Sequence, residues 1–536
     1  MAVGLSSQFL ESLLTPGRLA LLWVLFVVVS FIVDIARLPR CPESLPRVGS
    51  GRGIIASVKN WVLYVSRYND WIADGYEKYN KQGRAFVAPS SPSRPLEIVV
   101  PRSQTAWMLE QPDRVLSTKE AHRDSLFNDY QFGVDDQFPI RTIHKHLARN
   151  IVSLLPGIQE EVHAAIDDVF GTDTENWKTL NIWDSLIGII SRVTNRMLVG
   201  EPLCHNEEFL KNQVAFADAV VRNGLIMGLF PKVFHPFIGP LVTITNRRAW
   251  RKTYEIGKPI IEQRLRDLER KESSPDLQVP EDMLTWLIRQ AKAEGAADEL
   301  DPVMLSKRLL PVEFAAIHTT VLTAQNILLD LASSDPSLGY IDAIRKETSE
   351  VFKEEKGTWT KDGLASLHAT DSAIKESMRF SYFARGLTHR KVIAPEGVTN
   401  PTEGWHAPEG SFLMLDLAGV HHDPETFPEP GKYDAFRFLK IREQLDPKNP
   451  EEAMKIKRLG MVTTSPEHLT FSHGRHACPG RFFVAHELKM ILAYLLNNYD
   501  IKHIEKRPVP DWAGATVIPP IKATIEVKRR KAAESL

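Results

Sequence analysis

Cys478 lies in the run Phe471-Ser-His-Gly-Arg-His-Ala-Cys-Pro-Gly480, the segment of this 536-residue chain whose spacing most narrowly constrains chemistry. A single cysteine thiolate binds haem iron from one side and pushes electron density toward oxygen on the other, favouring O–O cleavage. Such a site needs one cysteine, not a cluster. Gly474 and Gly480 let the backbone turn tightly and approach a flat macrocycle, and Phe471 is placed to cover the sulfur and exclude water. Pro479 suits the first turn of a following helix, whose free amides and positive end would favour the thiolate. An isolated loop cysteine more often packs as a small hydrophobe; the fixed offsets of Phe, Gly, Cys and Gly favour the ligand.

The segment resembles the Phe-x-x-Gly-x-Arg-x-Cys-x-Gly signature of the cytochrome P450 family, and Gly-Arg-His-Ala-Cys-Pro-Gly-Arg-Phe-Phe is similar to fungal members. The resemblance implies that Cys478 ligates haem iron, with Phe471 covering the cofactor. His476 stands at the family's usual Arg position and Ser472 where a small Gly is common. By that resemblance His476 donates to a haem propionate, although its charge, unlike that of Arg, varies near neutral pH.

Three further segments follow the family's chain order. Glu376-Ser-Met-Arg379 places Glu and Arg three apart on one helix face, an arrangement that alone reads as solvated surface. Arg437, in the run 427–438, resembles the family's second arginine, so Glu376, Arg379 and Arg437 are expected to form a structural network. Ala315-Ala-Ile-His-Thr-Thr320, within the apolar stretch 309–331, resembles the oxygen-activation helix. There the resemblance implies that Thr319 directs protons to bound oxygen. His318 replaces the usual acidic residue and could relay protons as imidazole. For a generic helix, Thr319 would simply bond back to a carbonyl one turn earlier.

The third segment is Gly386-Leu-Thr-His-Arg390, followed by a strand and a turn over 410–425. By position His389 or Arg390 would reach a propionate, and residues 383–387 would line the substrate cavity. His144 and Arg149, in the run 141–149, occupy another region where the family often carries propionate ligands, there including a Trp that is absent here.

These residues must be positioned by a large core. The resemblance covers nearly the whole chain after its N-terminal segment, implying a mainly α fold with smaller β-sheets and no division into several domains. Helical periodicity runs over 158–169 and 182–199, 96–101 reads as a strand ended by Pro101, and prolines interrupt the apolar region 224–242. That region reads equally as a cap over the substrate channel or as a Pro-kinked core segment. Lys and Arg total 66 against 67 Asp and Glu, a formal charge of −1 that offers no basis for nucleic-acid binding. Cys41, Cys204 and Cys478 are too few for a disulfide framework and suit a reducing compartment.

The uncharged stretch 19–33 reaches about the length of a bilayer span when extended to Ala36. It reads as a retained anchor, one transmembrane helix over about 19–36, because no small-x-small cleavage site follows and Arg37, Arg40, Arg47 and Arg52 do. The expected organisation is therefore an N-terminal anchor segment (1–37), a Pro/Arg-rich hinge (38–52) and one haem-thiolate catalytic domain (53–536).

The expectation is a membrane-bound, monomeric haem monooxygenase using O2, facing the cytosol from the endoplasmic reticulum. No Gly-rich dinucleotide loop is present, so electrons must come from another protein. The resemblance implies an NADPH-cytochrome P450 reductase docking on the cysteine side, where Arg475, Arg481 and Lys489 would steer it. Similarity to fungal sequences implies oxidation of a lipophilic, terpenoid-like small molecule in secondary metabolism. Two other classes are compatible with a haem-thiolate loop: an isomerase or dehydratase working without O2, and a noncatalytic haem-binding sensor.

Overall fold

The computed structural model describes residues 16–37, 39–94, 96–134, 137–386 and 388–531. The N-terminal apolar stretch forms helix α1 (Pro16–Arg37), followed by α2 (Ile54–Lys78). Among the described residues no helix is long and apolar enough to cross a membrane. Between α1 and α2 the Pro/Arg-rich stretch is docked: Cys41 and Leu45 are buried, Val48 N–H donates to the Val87 carbonyl, and Val87 N–H donates to that of Pro46.

Helix α3 (Phe138–Phe170) extends the periodic run 158–169 by several turns and accommodates Pro156. Helix α4 (Ile182–Leu198) begins where the Asn181 side chain accepts the Asp184 amide, and α5 (Glu207–Gly228) where Asn206 accepts that of Phe209. Helix α6 (Ile244–Ser273) packs on α5. Helix α7 (Pro302–Ala332) starts with Asp301 as its cap and Pro302 in its first turn, which needs no amide donor. Its 31 residues span roughly 46 Å, long enough to run through the whole molecule. Ile317, Val321, Ala324 and Leu328 recur at helical spacing and enter the main core with Leu186 and Ile190 of α4. Each of the Ile, Val and Leu side chains among them contributes about 1.5–3 kcal/mol by leaving water. Helices α8 (His368–Phe380) and α9 (Arg481–Asn498) pack against α7.

A five-stranded sheet stands beside this helical body, in the order β1-β2-β5-β4-β3. Its strands are β1 (Phe86–Pro89), β2 (Leu96–Val100), β3 (Leu116–Ser117), β4 (His389–Val392) and β5 (Phe412–Leu415). Only β2 and β5 pair in parallel, with Ile98 opposite Leu413. Strand β2 stops before Pro101, which has no amide for the ladder. The result is a mainly helical fold with small sheets.

The proline-rich region 224–242 is not a kinked core helix. Helix α5 ends at Gly228, a 3-10 turn covers Lys232–Phe234, and a short helix covers His235–Val242. Phe237 and Leu241 are left mostly exposed. Phe234 meets Phe26 of α1 edge-on at 5.9 Å between ring centroids, so the two apolar segments share one side of the molecule.

Candidate active site

The cysteine loop is held by its own backbone. Cys478 N–H donates to the Phe471 carbonyl at 2.9 Å, and Ser472 N–H to that of Leu469 at 2.8 Å. Gly474 adopts φ +75°, a conformation glycine takes without cost. Ser472 adopts φ +57°, which explains why a glycine suits that position; its hydroxyl compensates through a 2.9 Å hydrogen bond with Thr388 Oγ1. Gly480 has an ordinary negative φ, and a Cβ there would stand 3.9 Å from the Cys478 sulfur, an ordinary contact distance. Helix α9 begins at Arg481, which places Pro479 before the helix and not in its first turn. Burial pushes the Cys478 thiol up; the Gly480 and Arg481 amides and the Arg481 charge work in the opposite direction. Those amides and that charge are what a thiolate ligand requires. Phe471 packs against the main core beside this loop.

The donor set around the loop fits haem. Cys478 keeps accessible surface although burial dominates its ionisation, and so does His122, whose imidazole burial and the nearby Arg390 and His476 hold down to about 4. Accessible surface so deep in the protein marks an internal cleft. Arg390 is buried, with Nη1 donating to the His389 carbonyl at 2.8 Å and Nη2 without a partner. Burial pulls its guanidinium down to about 10, and Arg475 acts in the same direction. His476 bonds Asp113 Oδ1 at 2.7 Å, and Arg475 lies 3.8 Å from the same oxygen. Burial lowers His144, as do the charges of Arg481 and His476. One carboxylate thus serves several basic groups, and an orphaned guanidinium nitrogen remains. Two propionates would complete this set.

The predicted propionate residues divide between different surroundings. Alternation along β4 sends His389 and Arg390 to opposite faces. His389 Nε2 lies 3.9 Å from Glu97 Oε2, in a setting where burial holds its imidazole neutral, while Arg390 joins the cationic cluster. Arg149 is exposed, and its charge is felt by His146 alongside Lys145 and Arg289. Among the described residues no hydrogen bond or ion pair joins Arg149 to the cysteine loop.

On α7, most of whose residues are buried, Ala315 is exposed and Thr319 partly so. Thr319 Oγ1 donates to the Ala315 carbonyl at 2.5 Å. His318 is turned to a neighbouring face. Its Nε2 lies 2.8 Å from Asp218 Oδ1 of α5, its Nδ1 is buried without a partner, and its ring meets Trp183 edge-on.

Glu376, Arg379 and Arg437 come together in the protein interior. Arg379 Nε and Nη2 each donate to one Glu376 oxygen at 2.8 Å, and Arg437 Nε donates to both at 3.0 and 3.1 Å. Arg379 also donates to the His421 and Pro430 carbonyls, tying α8 to the loop before Arg437. Of the expected cavity segment, Phe383, Ala384 and Gly386 keep accessible surface and Leu387 lies outside the described residues. Arg385 does not line the cavity, being buried with Nε 3.2 Å from Asp416 Oδ1. Lys489 is buried on Asp371 at 2.6 Å and the Leu364 carbonyl at 2.9 Å, so it cannot steer a partner; Arg475 remains exposed. Sequence reasoning missed His122, Asp113 and Asp218, none of which carries a motif.

The cytochrome P450 family model matches residues 133–527. The chain belongs to the cytochrome P450 family. Cytochrome P450 monooxygenase pbrC of Penicillium brasilianum is 32% identical over 503 residues, covering 91% of this chain and 92% of that one. Cytochrome P450 monooxygenase astC of Aspergillus terreus is also 32% identical, over 92% of this chain and 93% of its own. Retinoic acid bound cyanobacterial CYP120A1 shares the fold at a TM-score of 0.61 and 17% identity, over 92% of this chain and 99% of that one. This P450 is accordingly a monooxygenase whose cofactor is a thiolate-ligated haem.

Proposed function

We propose that this P450 oxidises a lipophilic, terpenoid-like small molecule in fungal secondary metabolism, with electrons from a separate NADPH-cytochrome P450 reductase. The observation that carries the reading is accessible surface at Ala315 and Thr319, on a mostly buried helix that packs against the one following Cys478. When bound, haem supplies oxygen activation. Cys478 would hold it from one side, and Arg390, His476 and His144 are the basic groups available to its propionates. Thr319 holds a proton at Oγ1, and a χ1 rotation turns that hydroxyl from the Ala315 carbonyl toward the cleft. His318 and Asp218 offer the next proton from the surface side. Apolar walls exclude water and orient a greasy substrate by shape.

Helix α1 anchors the enzyme as a monomer in the endoplasmic reticulum membrane, with the catalytic domain in the cytosol. Leu21, Trp23 and Leu25 are each more than half exposed, and Phe237 and Leu241 add apolar surface on the α1 side. Such a patch favours lipid over water. Arg40, Arg47 and Arg52 follow α1, as expected for a cytosolic flank.

The test combines carbon monoxide difference spectra with NADPH consumption by the purified enzyme, with and without reductase, over a panel of lipophilic compounds. Substrate-dependent spectral shifts and reductase-dependent product are expected. Thr319→Ala should keep the thiolate spectrum while diverting NADPH to peroxide. Turnover with a ferredoxin pair and none with the reductase would reject the partner. Spectral responses to polar compounds alone would reject the substrate class.

A further inference from the structure

Away from the haem cleft, Glu161 of α3 meets Cys204 and His205 of the short turn Leu203–His205 between α4 and α5. Their ligand atoms all lie within 4.8 Å of one another. No other three His, Cys, Asp or Glu side chains among the described residues converge this closely. We infer that Glu161, Cys204 and His205 form a binding site for one zinc-class divalent cation, with a fourth position open to water.

The donor set argues for that class. One sulfur, one imidazole nitrogen and one carboxylate oxygen suit zinc and disfavour magnesium or calcium, which take oxygen ligands. Glu161 Oε2 lies 2.6 Å from His205 Nε2 and 4.0 Å from the Cys204 sulfur. Tetrahedral zinc holds such donors roughly 3.3–3.5 Å apart, given its ordinary bond lengths. One gap must therefore open and the other close by well under 1 Å, within reach of side-chain rotation.

The surroundings supply rigidity, charge balance and access. The turn is pinned by Cys204 N–H on the Gly200 carbonyl and His205 N–H on that of Pro202, and Asn206 immediately caps α5. Glu161 and Cys204 are buried, whereas the His205 side chain is 46% exposed and opens a route from solvent. Zinc takes cysteine as thiolate, so binding would release the Cys204 proton. Thiolate and carboxylate together then balance a double positive charge.

The nearby arginines have carboxylates of their own. Arg192 donates to Glu161 Oε1 at 2.7 Å, leaving Oε2 for the cation, and also pairs with Asp168 at 2.7 Å. Arg196 is paired with Glu201 at 2.6 Å. A bound cation would tie α3 to the α4–α5 junction, on which the helix carrying Asp218 begins.

The test uses tag-free, haem-loaded full-length enzyme stripped with EDTA, then titrated with zinc against a chromophoric chelator, with bound metal measured by elemental analysis. One zinc per chain is expected, with affinity lowered at least tenfold by His205→Ala and by Cys204→Ser. An unchanged haem spectrum in each variant shows that the fold is kept. His205 is exposed, so that variant remains informative if Cys204→Ser fails to fold. Equal zinc stoichiometry and affinity in wild type and His205→Ala, or no zinc in the wild type, overturns the site.

Discussion

Asp218 Oδ1 sits 2.8 Å from His318 Nε2 where α5 crosses α7. The Asp218 side chain is 55% exposed and that of His318 only 10%, so the pair runs from solvent into the interior beside Thr319. The chain has a histidine where its family usually has an acid, and the facing helix supplies the carboxylate. A proton taken up at Asp218 has a hydrogen-bonded path to the imidazole. Asp218→Asn and His318→Gln should each raise peroxide formed per NADPH several-fold, and the double variant no further than the worse single one. An unchanged peroxide ratio in both would remove the pair from the proton route.

Glu376 is wholly buried and balances two arginines, one of them wholly buried as well. Removing the carboxylate leaves Arg379 charged without compensation, at a cost of about 3–5 kcal/mol. Glu376→Ala should lower the melting temperature sharply and reduce haem per chain. When Arg437 is lost, Glu376 keeps both hydrogen bonds from Arg379, so Arg437→Ala should cost less. Haem content and melting temperature of the two variants check the order; equal losses would mean that Arg379 alone does not compensate the buried Glu376 carboxylate.

The cysteine loop and the Glu376 network were legible because local spacing carries them: a signature around Cys478, a one-turn offset from Glu376 to Arg379, and a matching Arg437 segment. Helices α4 and α7 were legible for the same reason, since apolar spacing and capping residues are local properties. Asp218 was not, because its pairing with His318 is created by two helices crossing a hundred residues apart. Lys489 and Arg385 were misread as available because a charged residue on sequence looks solvated. Tertiary packing gives each a carboxylate inside the protein. Pro479 was misplaced by two residues, the usual uncertainty of a helix start.

Ser472 has a strained backbone in the very loop that presents Cys478. A non-glycine residue at φ +57° costs about 1–2 kcal/mol. Its hydroxyl offsets part of that through Thr388. Ser472→Ala loses the hydrogen bond and keeps the strain, whereas Ser472→Gly loses both. The glycine variant should therefore exceed the alanine variant in stability by about 1 kcal/mol. Thermal melts of the haem-loaded proteins check this, and equal melting temperatures would mean that the left-handed conformation carries no cost here.

Glu313 on α7 is a buried carboxyl whose Oε1 accepts from Gln213 Nε2 at 2.5 Å, while Oε2 has no partner. Burial pushes it up to about 8, against about 4.3 in an unfolded chain. Between those values the folded protein keeps a proton that the unfolded chain releases. Stability from this group is therefore full below about pH 4 and falls as pH rises toward 8, by up to about 1.4 kcal/mol per pH unit. Glu487, raised to about 8 by the same cause, adds a parallel slope. Glu313→Gln cannot ionise and keeps the oxygen that Gln213 needs, so it removes one slope and leaves the other. Melting temperatures of wild type and variant should nearly coincide at pH 5 and separate by pH 8.5, with the variant more stable. Parallel curves across that range would mean that Glu313 ionises in the folded state as readily as in water.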